Sequence, residues 1–121
     1  MRRQSIVYEK AMIFANRIIR LNKFLCTNYS EYTMSKQILR SGTSIGANIC
    51  EAIHGISKKD FLSKMYIAYK ECAETRYWLD ILMNANYLTK AQYDSIVSDC
   101  NELLAILTSI TKSTRTSIDN S

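Results

Sequence analysis

The sequence predicts an all-α protein that folds as an antiparallel, up-down-up-down four-helix bundle. Apolar side chains recur at helical spacing in four long segments, and short polar stretches separate these segments. Proline is absent and glycine occurs only 3 times, which argues against β-rich or loop-rich folds because these need such residues in their turns. Four amphipathic helices with short connections pack most simply as antiparallel neighbours.

The first two helices are predicted at residues 5–25 and 33–54. In the first, apolar residues follow steps of four and three, and the polar run 27–30 breaks the pattern. The second has an apolar line of isoleucines, and Gly55 is a suitable C-terminal stop. The predicted core positions of these two helices are Val7, Ala11, Phe14, Ile18, Leu21, Leu25, Ile38, Ile45, Ile49 and Ile53.

The last two helices begin at sequences that resemble N-terminal caps. Residues 57–60 form a capping box with Asp in place of Glu, and the third helix then continues to about Asn84. Residues 89–92 form a second capping box, and the fourth helix continues to about Thr111. Their core positions are Phe61, Met65, Ala68, Cys72, Thr75, Leu79 and Leu82 in the third helix, and Tyr93, Ile96, Cys100, Leu103, Leu107 and Ile110 in the fourth.

We expect one bundle domain at residues 1–112, followed by a disordered tail at 113–121. The chain of 121 residues is long enough for one core, and the tail is rich in Ser and Thr without an apolar pattern. The apolar runs are too short to span a membrane, and the basic N-terminus lacks the apolar block of a signal peptide. None of the 4 cysteines has the spacing of a zinc site, so we predict reduced thiols in the cytoplasm.

Basic residues form a stripe on the first predicted helix. Arg3, Lys10 and Arg17 recur every seven positions, and Arg20 and Lys23 lie near them. Such a stripe, together with a net charge of +5, is able to bind the phosphates of RNA or DNA. The alternative is a solvated face that only keeps the protein soluble.

The segment 40–51 is unusual for a helix because it combines two glycines with several hydroxyl and amide side chains. Each glycine costs about 1 kcal/mol relative to alanine in a helix, so tertiary contacts must compensate. We interpret the polar residues as a network between helices 2 and 3 that fixes their register; the alternative is a solvated face. The members of this predicted network are Arg40, Ser44, Asn48, Glu51 and Glu71. The glycines offer a flat surface to another helix, of the same chain or of another subunit.

The sequence offers no convincing catalytic or cofactor site. The Gly42–Gly46 segment lacks the following Gly-Lys-Ser/Thr of a phosphate loop. Cys50 and His54 lie four residues apart, but such a pair arises easily by chance on a helix. A di-metal site in a helical bundle needs Glu-x-x-His on two helices. Neither the helix that carries Glu51 nor the one that carries Glu71 and Glu74 has this motif. We therefore predict no enzyme activity, no cofactor and no metal.

Two motifs resemble those of the bacterial "four helix bundle protein" family, which is also named for the 23S rRNA intervening-sequence protein. The motifs are Arg40-Ser41-x-x-Ser44-Ile45-x-Ala47-Asn48-Ile49-x-Glu51 and Phe61-x-x-Lys64-x-x-Ile67-Ala68-x-x-Glu71-x-x-Glu74-x-x-x-Trp78-Leu79. The resemblance covers about residues 5–110. The family usually has glycine directly after the glutamate that matches Glu51, whereas Ala52 stands here and Gly55 follows later, so the end of helix 2 is expected to shift by a turn.

The resemblance implies a small cytoplasmic bundle that assembles as a ring-shaped homopentamer, and no enzymatic activity is established for the family. Some members are encoded within insertions in ribosomal RNA genes. A related branch is the accessory protein of diversity-generating retroelements, which associates with a reverse transcriptase and nucleic acid. We therefore expect an oligomeric bundle that binds RNA or a ribonucleoprotein. The alternative is a protein-interaction scaffold with a protein partner and no nucleic-acid role.

Overall fold

A computed structural model describes residues 2–120 of the chain, and the side chains of residues 4–120. It consists of four helices: α1 (Arg2–Tyr29), α2 (Met34–Ile53), α3 (Lys58–Asn84) and α4 (Lys90–Asp119). Each helix packs against the next one in the chain, and α4 returns to contact α1. The all-α four-helix bundle is therefore confirmed. Within residues 2–120, no helix is long and apolar enough to cross a membrane.

The core is a single apolar cluster built from the predicted faces of the four helices, except that Ile53, predicted as a core position, is 38% exposed. Phe14, Ile45, Met65 and Leu107 are fully or almost fully buried, one from each helix. Cys72 and Cys100 face each other across α3 and α4, with their Sγ atoms 3.9 Å apart. The hydrogen bond with Cys100 and burial raise the pKa of the Cys72 thiol, so it remains protonated and packs as a small apolar group.

The ends of α1 and α2 differ from the prediction in detail. Helix α1 continues to Tyr29, and Ser30 then turns the chain with a φ of 51°. Helix α2 ends at Ile53, but Gly55 does not have the positive φ of a glycine cap. A Cβ there would lie 2.6 Å from Asp60 Oδ2 and 3.1 Å from the Ala52 carbonyl oxygen, so a larger residue would displace the Asp60 carboxylate from its position beside the Ile56 amide.

Both predicted capping sequences begin helices. The Ser57 side chain accepts a hydrogen bond from the Asp60 amide at 3.0 Å, while the Asp60 carboxylate accepts from the Ile56 amide at 3.3 Å. At α4 the box is reciprocal: Thr89 Oγ1 accepts from the Gln92 amide and Gln92 Oε1 accepts from the Thr89 amide. These bonds satisfy amide groups that a helix leaves unpaired at its start.

The predicted disorder after residue 112 is wrong for residues 113–119, which continue α4 to Asp119. Hydroxyl groups that weaken helix propensity are satisfied here within the helix, because Thr114 Oγ1 donates to the Ile110 carbonyl at 2.7 Å. Ile118 is half-buried, and Lys58 Nζ donates to Ser117 Oγ at 2.9 Å. Contact with the first turns of α3 thus extends a helix that the local sequence alone does not favour.

Candidate nucleic-acid interface

The basic stripe of α1 is partly neutralised by acidic residues of α4. Lys10 Nζ lies 3.1 Å from Glu102 Oε2, and Arg17 Nη1 lies 2.8 Å from Asp99 Oδ2. The Arg3 side chain lies outside the described side chains. Two of the five predicted phosphate-binding residues therefore already have anionic partners within the chain.

Arg17 is also held in place by hydrogen bonds to the first turns of α4. Its Nη1 donates to the Ser95 carbonyl at 3.1 Å and its Nη2 donates to Ser95 Oγ at 2.9 Å. Arg20 and Lys23 are exposed, and neither makes an ion pair with any residue in the range 4–120. These two side chains are the part of the stripe that is available to an external anion.

A groove separates the C-terminal half of α1 from the start of α4. It has a volume of about 450 Å³, and Arg17 and Arg20 lie at its edge. Its apolar lining consists of Leu21, Phe24, Leu88, Ala91 and Ile96. The α1–α4 contact is the least extensive between neighbouring helices, which is why this surface is open.

The predicted polar network is centred on Arg40, at the edge of the α2–α3 contact. Its Nη1 lies 3.3 Å from one Glu71 carboxylate oxygen and 3.4 Å from the other, and its Nη2 donates to Glu74. Glu74 also accepts a hydrogen bond from Trp78 Nε1 at 3.0 Å. The bond from Arg40, followed by that from Trp78, lowers the pKa of Glu74, while the bond to Glu74 raises the pKa of Arg40.

The other predicted members of the network do not join it through their side chains. Ser44 Oγ donates to the Arg40 carbonyl at 2.6 Å, and Asn48 Nδ2 donates to the Ser44 carbonyl at 2.9 Å. Glu51 pairs with Lys64 at 3.1 Å, farther along the bundle. The polar line of α2 is therefore satisfied mainly by its own helix.

Residues 3–109 match the family described as "23S rRNA-intervening sequence protein". The chain belongs to this family. It is similar to a solved structure from Bacteroides thetaiotaomicron VPI-5482, described as a protein with unknown function from the S23 ribosomal protein family. That structure is 50% identical, the match covers 91% of this chain and 98% of the other, and the TM-score is 0.89. No protein with a curated description matches the chain.

Within this member of the 23S rRNA-intervening sequence protein family, the glycine-containing segment packs against α1 of the same chain. A Cβ at Gly42 would lie 2.8 Å from two side-chain carbons of Ile18, so only glycine allows this approach without movement of the neighbour. At Gly46 the nearest atom would be Ala11 Cβ at 3.6 Å, which is ordinary contact. The two glycines thus differ in their need for space.

Sequence reasoning missed a buried hydroxyl pair beside this segment. Thr75 Oγ1 lies 2.9 Å from Ser41 Oγ and 2.8 Å from the Glu71 carbonyl. Both hydroxyl residues are fully buried, so the pair links α2 and α3 where water has no access. Ser41 belongs to the quoted family motif and Thr75 to the predicted core, but neither position by itself predicts their contact.

The Cys50–His54 pair of this family member does not have the geometry of a nucleophile and its base. Cys50 Sγ lies 4.0 Å from His54 Nδ1, and the same nitrogen lies 2.9 Å from the Cys50 carbonyl oxygen. Nδ1 therefore carries the proton and donates to the carbonyl. Among the residues that the structure describes, no three His, Cys, Asp or Glu side chains are grouped to hold a metal ion.

Proposed function

We propose that this chain is a non-enzymatic helical bundle that assembles into an oligomer and binds RNA, other nucleic acid or a ribonucleoprotein through its basic surface. The observation that carries the proposal is the exposure of Arg20, which lines the α1–α4 groove, and of Lys23, three residues farther along α1, on a chain of net charge +5. The reference to 23S rRNA in the family description supports RNA as the ligand. A cytoplasmic location is part of the proposal, supported by four free cysteines.

Binding through this surface depends on phosphate charge. Arg20 and Lys23 release counterions when they contact phosphates, so affinity should fall steeply as salt rises. Lys10 contributes less, because binding RNA would require it to leave Glu102 or share its charge.

The test is fluorescence anisotropy with a labelled RNA duplex in low salt. Arg20→Gln/Lys23→Gln should weaken binding, and each lost phosphate contact should reduce the salt slope by about 0.9. Lys10→Gln is the matched control and should have a smaller effect. Absence of binding by the wild type in low salt would overturn the RNA proposal.

Oligomer formation is supported by apolar side chains that the single chain leaves exposed on α1. Met12 and Ile13 are 49% and 61% exposed, and Ile6 and Ile19 are also exposed. Beside them, small residues around Gly46 leave a groove of about 270 Å³ between α1 and α2, into which a helix of another copy can pack. The family resemblance favours a homopentamer.

Light scattering tests the assembly. We expect a mass of five times the 13.9 kDa of one chain, and a smaller particle for Ile13→Glu because a charge at an apolar interface is costly to bury. A wild-type mass of one chain would overturn the oligomer.

The alternative function is a protein-interaction scaffold, which the same exposed apolar surface favours. In that case a pull-down would recover one partner protein after nuclease treatment, and Arg20→Gln/Lys23→Gln would leave that partner bound.

A further inference from the structure

A second basic surface lies at the opposite side of α4, between its final turns and the N-terminal half of α3. Two adjoining cavities of about 470 Å³ and 300 Å³ share Leu62, Tyr66 and Arg115 in their walls. We name these two cavities together the C-terminal groove. One wall exists only because α4 continues to Asp119, and this part of α4 lies beyond the residues matched by the family.

Four cations line the C-terminal groove: Lys59, Lys70, Lys112 and Arg115. All four are exposed, and none makes an ion pair with another residue in the range 4–120. Among the lining residues the single acid is Asp119. The positive charge of this surface is therefore not neutralised by ion pairs, whereas Lys10 and Arg17 of α1 pair with acidic residues of α4.

The groove also contains an aromatic platform. Tyr66 is 51% exposed, and its ring stacks on that of Tyr69 with centroids 5.7 Å apart and an interplanar angle of 26°. Tyr66 lies seven residues after Lys59 and four before Lys70, so the three occupy one face of α3 over about 16 Å. Leu62, Ile67 and Ile118 supply apolar surface around the ring.

We propose that the C-terminal groove binds a single-stranded segment of RNA, with a base stacked on Tyr66 and the flanking phosphates on Lys59, Lys70, Lys112 and Arg115. Aromatic faces bind unpaired bases because every base has a π-face. A duplex hides those faces within its own stack, so it gains only the charge contacts. The inference rests on the proposed RNA-binding function and adds the class of RNA and the residues that select it.

The test compares a labelled oligouridylate with an RNA duplex of the same length by fluorescence anisotropy. Lys70→Gln/Arg115→Gln should weaken oligouridylate binding about tenfold and reduce its salt slope by about 0.7 per lost contact. Tyr66→Ala should weaken it by a similar factor and leave the duplex nearly unchanged, whereas Tyr66→Phe should bind as the wild type does because the ring remains. The matched charge control is Arg20→Gln/Lys23→Gln, which should retain the preference for the single strand. All these positions are on the surface, and circular dichroism verifies the helix content of each variant.

A second readout places the RNA directly. An oligonucleotide with 4-thiouridine, crosslinked by light and digested with trypsin, should modify the peptide 65–70, which contains both Tyr66 and Tyr69. One result would overturn the inference and leave the proposed function in place. In it, Tyr66→Ala and Lys70→Gln/Arg115→Gln bind oligouridylate with wild-type affinity, while Arg20→Gln/Lys23→Gln binds neither the oligouridylate nor the duplex. Binding of neither probe by the wild type would overturn both.

Discussion

Where α2 packs against α1 and α3, the contacts are close and the polar groups are buried, whereas α1 and α4 meet across a groove that ion pairs bridge. On the α2 side, Ile18 packs closely against Gly42, and the buried Thr75 hydroxyl donates to Ser41 Oγ. On the α4 side, Arg17 and Lys10 reach over to Asp99 and Glu102 at the surface. Close packing therefore joins α1 to α2, α2 to α3 and α3 to α4, while the α1–α4 contact is the least extensive. The two surfaces that we propose for ligands lie on either side of α4.

The largest difference in the free energy of unfolding should be that between substitutions at the two glycines of α2. Gly42→Ala should destabilise the bundle by about 2 kcal/mol, because its Cβ would overlap Ile18 and displace a core side chain. Gly46→Ala should instead stabilise it by up to about 1 kcal/mol, since space is available and alanine favours the helix. Urea unfolding at one fixed protein concentration measures both. Equal effects of the two substitutions would contradict the assigned packing.

Next in size is the buried hydroxyl pair. Thr75→Val should cost about 1–2 kcal/mol, because Ser41 would keep only a long 3.4 Å bond to the Ile38 carbonyl. The double variant Ser41→Ala/Thr75→Val should cost less than the sum of the single substitutions, because the hydrogen bond between the two hydroxyls is lost only once. A double-mutant cycle by urea unfolding checks this, and strict additivity would show that the two hydroxyls act independently.

Breaking the α1–α4 ion pairs should have a smaller effect on stability. Arg17→Gln should cost less than about 1 kcal/mol, because its side chain is 28% exposed and Asp99 is 41% exposed. The loss should shrink in concentrated salt, which screens the surface charges. Thermal unfolding at low and high salt measures this loss of stability. The matched control is Lys10→Gln, which breaks the other ion pair between α1 and α4. A cost as large as that of Gly42→Ala would mean that the α1–α4 ion pairs stabilise the bundle as much as the packing at Gly42 does.

The smallest effect concerns pH and the Arg40–Glu74 pair. The folded pKa of Glu74 lies below its usual value of 4.5, so this pair's contribution is complete above about pH 4.5 and declines as pH falls through the folded value. Trp78 is the only tryptophan and donates to Glu74, so its fluorescence should follow this protonation. Arg40→Met should move the fluorescence transition to higher pH. Arg76→Met should leave the fluorescence transition at its wild-type pH, because Arg76 lies on α3 like Glu74 but does not contact it.

The sequence predicted which residues of the candidate site share a helix face, because that depends on helical spacing alone. The seven-residue recurrence of Lys10 and Arg17 correctly placed them on one face of α1, but no feature of α1 reveals that α4 supplies Glu102 and Asp99 opposite them. Similarly, the polar line of α2 indicated unusual contacts, while the actual partners of Arg40 include Glu74 as well as Glu71. Spacing defines a face, and the identity of the facing residues depends on how two helices align.

By itself, the sequence determined the four helices, the capping residues that begin α3 and α4, and the apolar faces that form the core. These follow from local hydrogen bonding and from a periodicity of about 3.6 residues, which act within one segment. Tertiary structure alone decided that Gly42 serves a contact within the chain and that Ser41 meets Thr75. It also decided that the Ser/Thr-rich end of α4 is helical, since α3 provides the packing that the local sequence lacks. Consequently the C-terminal groove, whose wall is that end of α4, was not predictable from the pattern of any single helix.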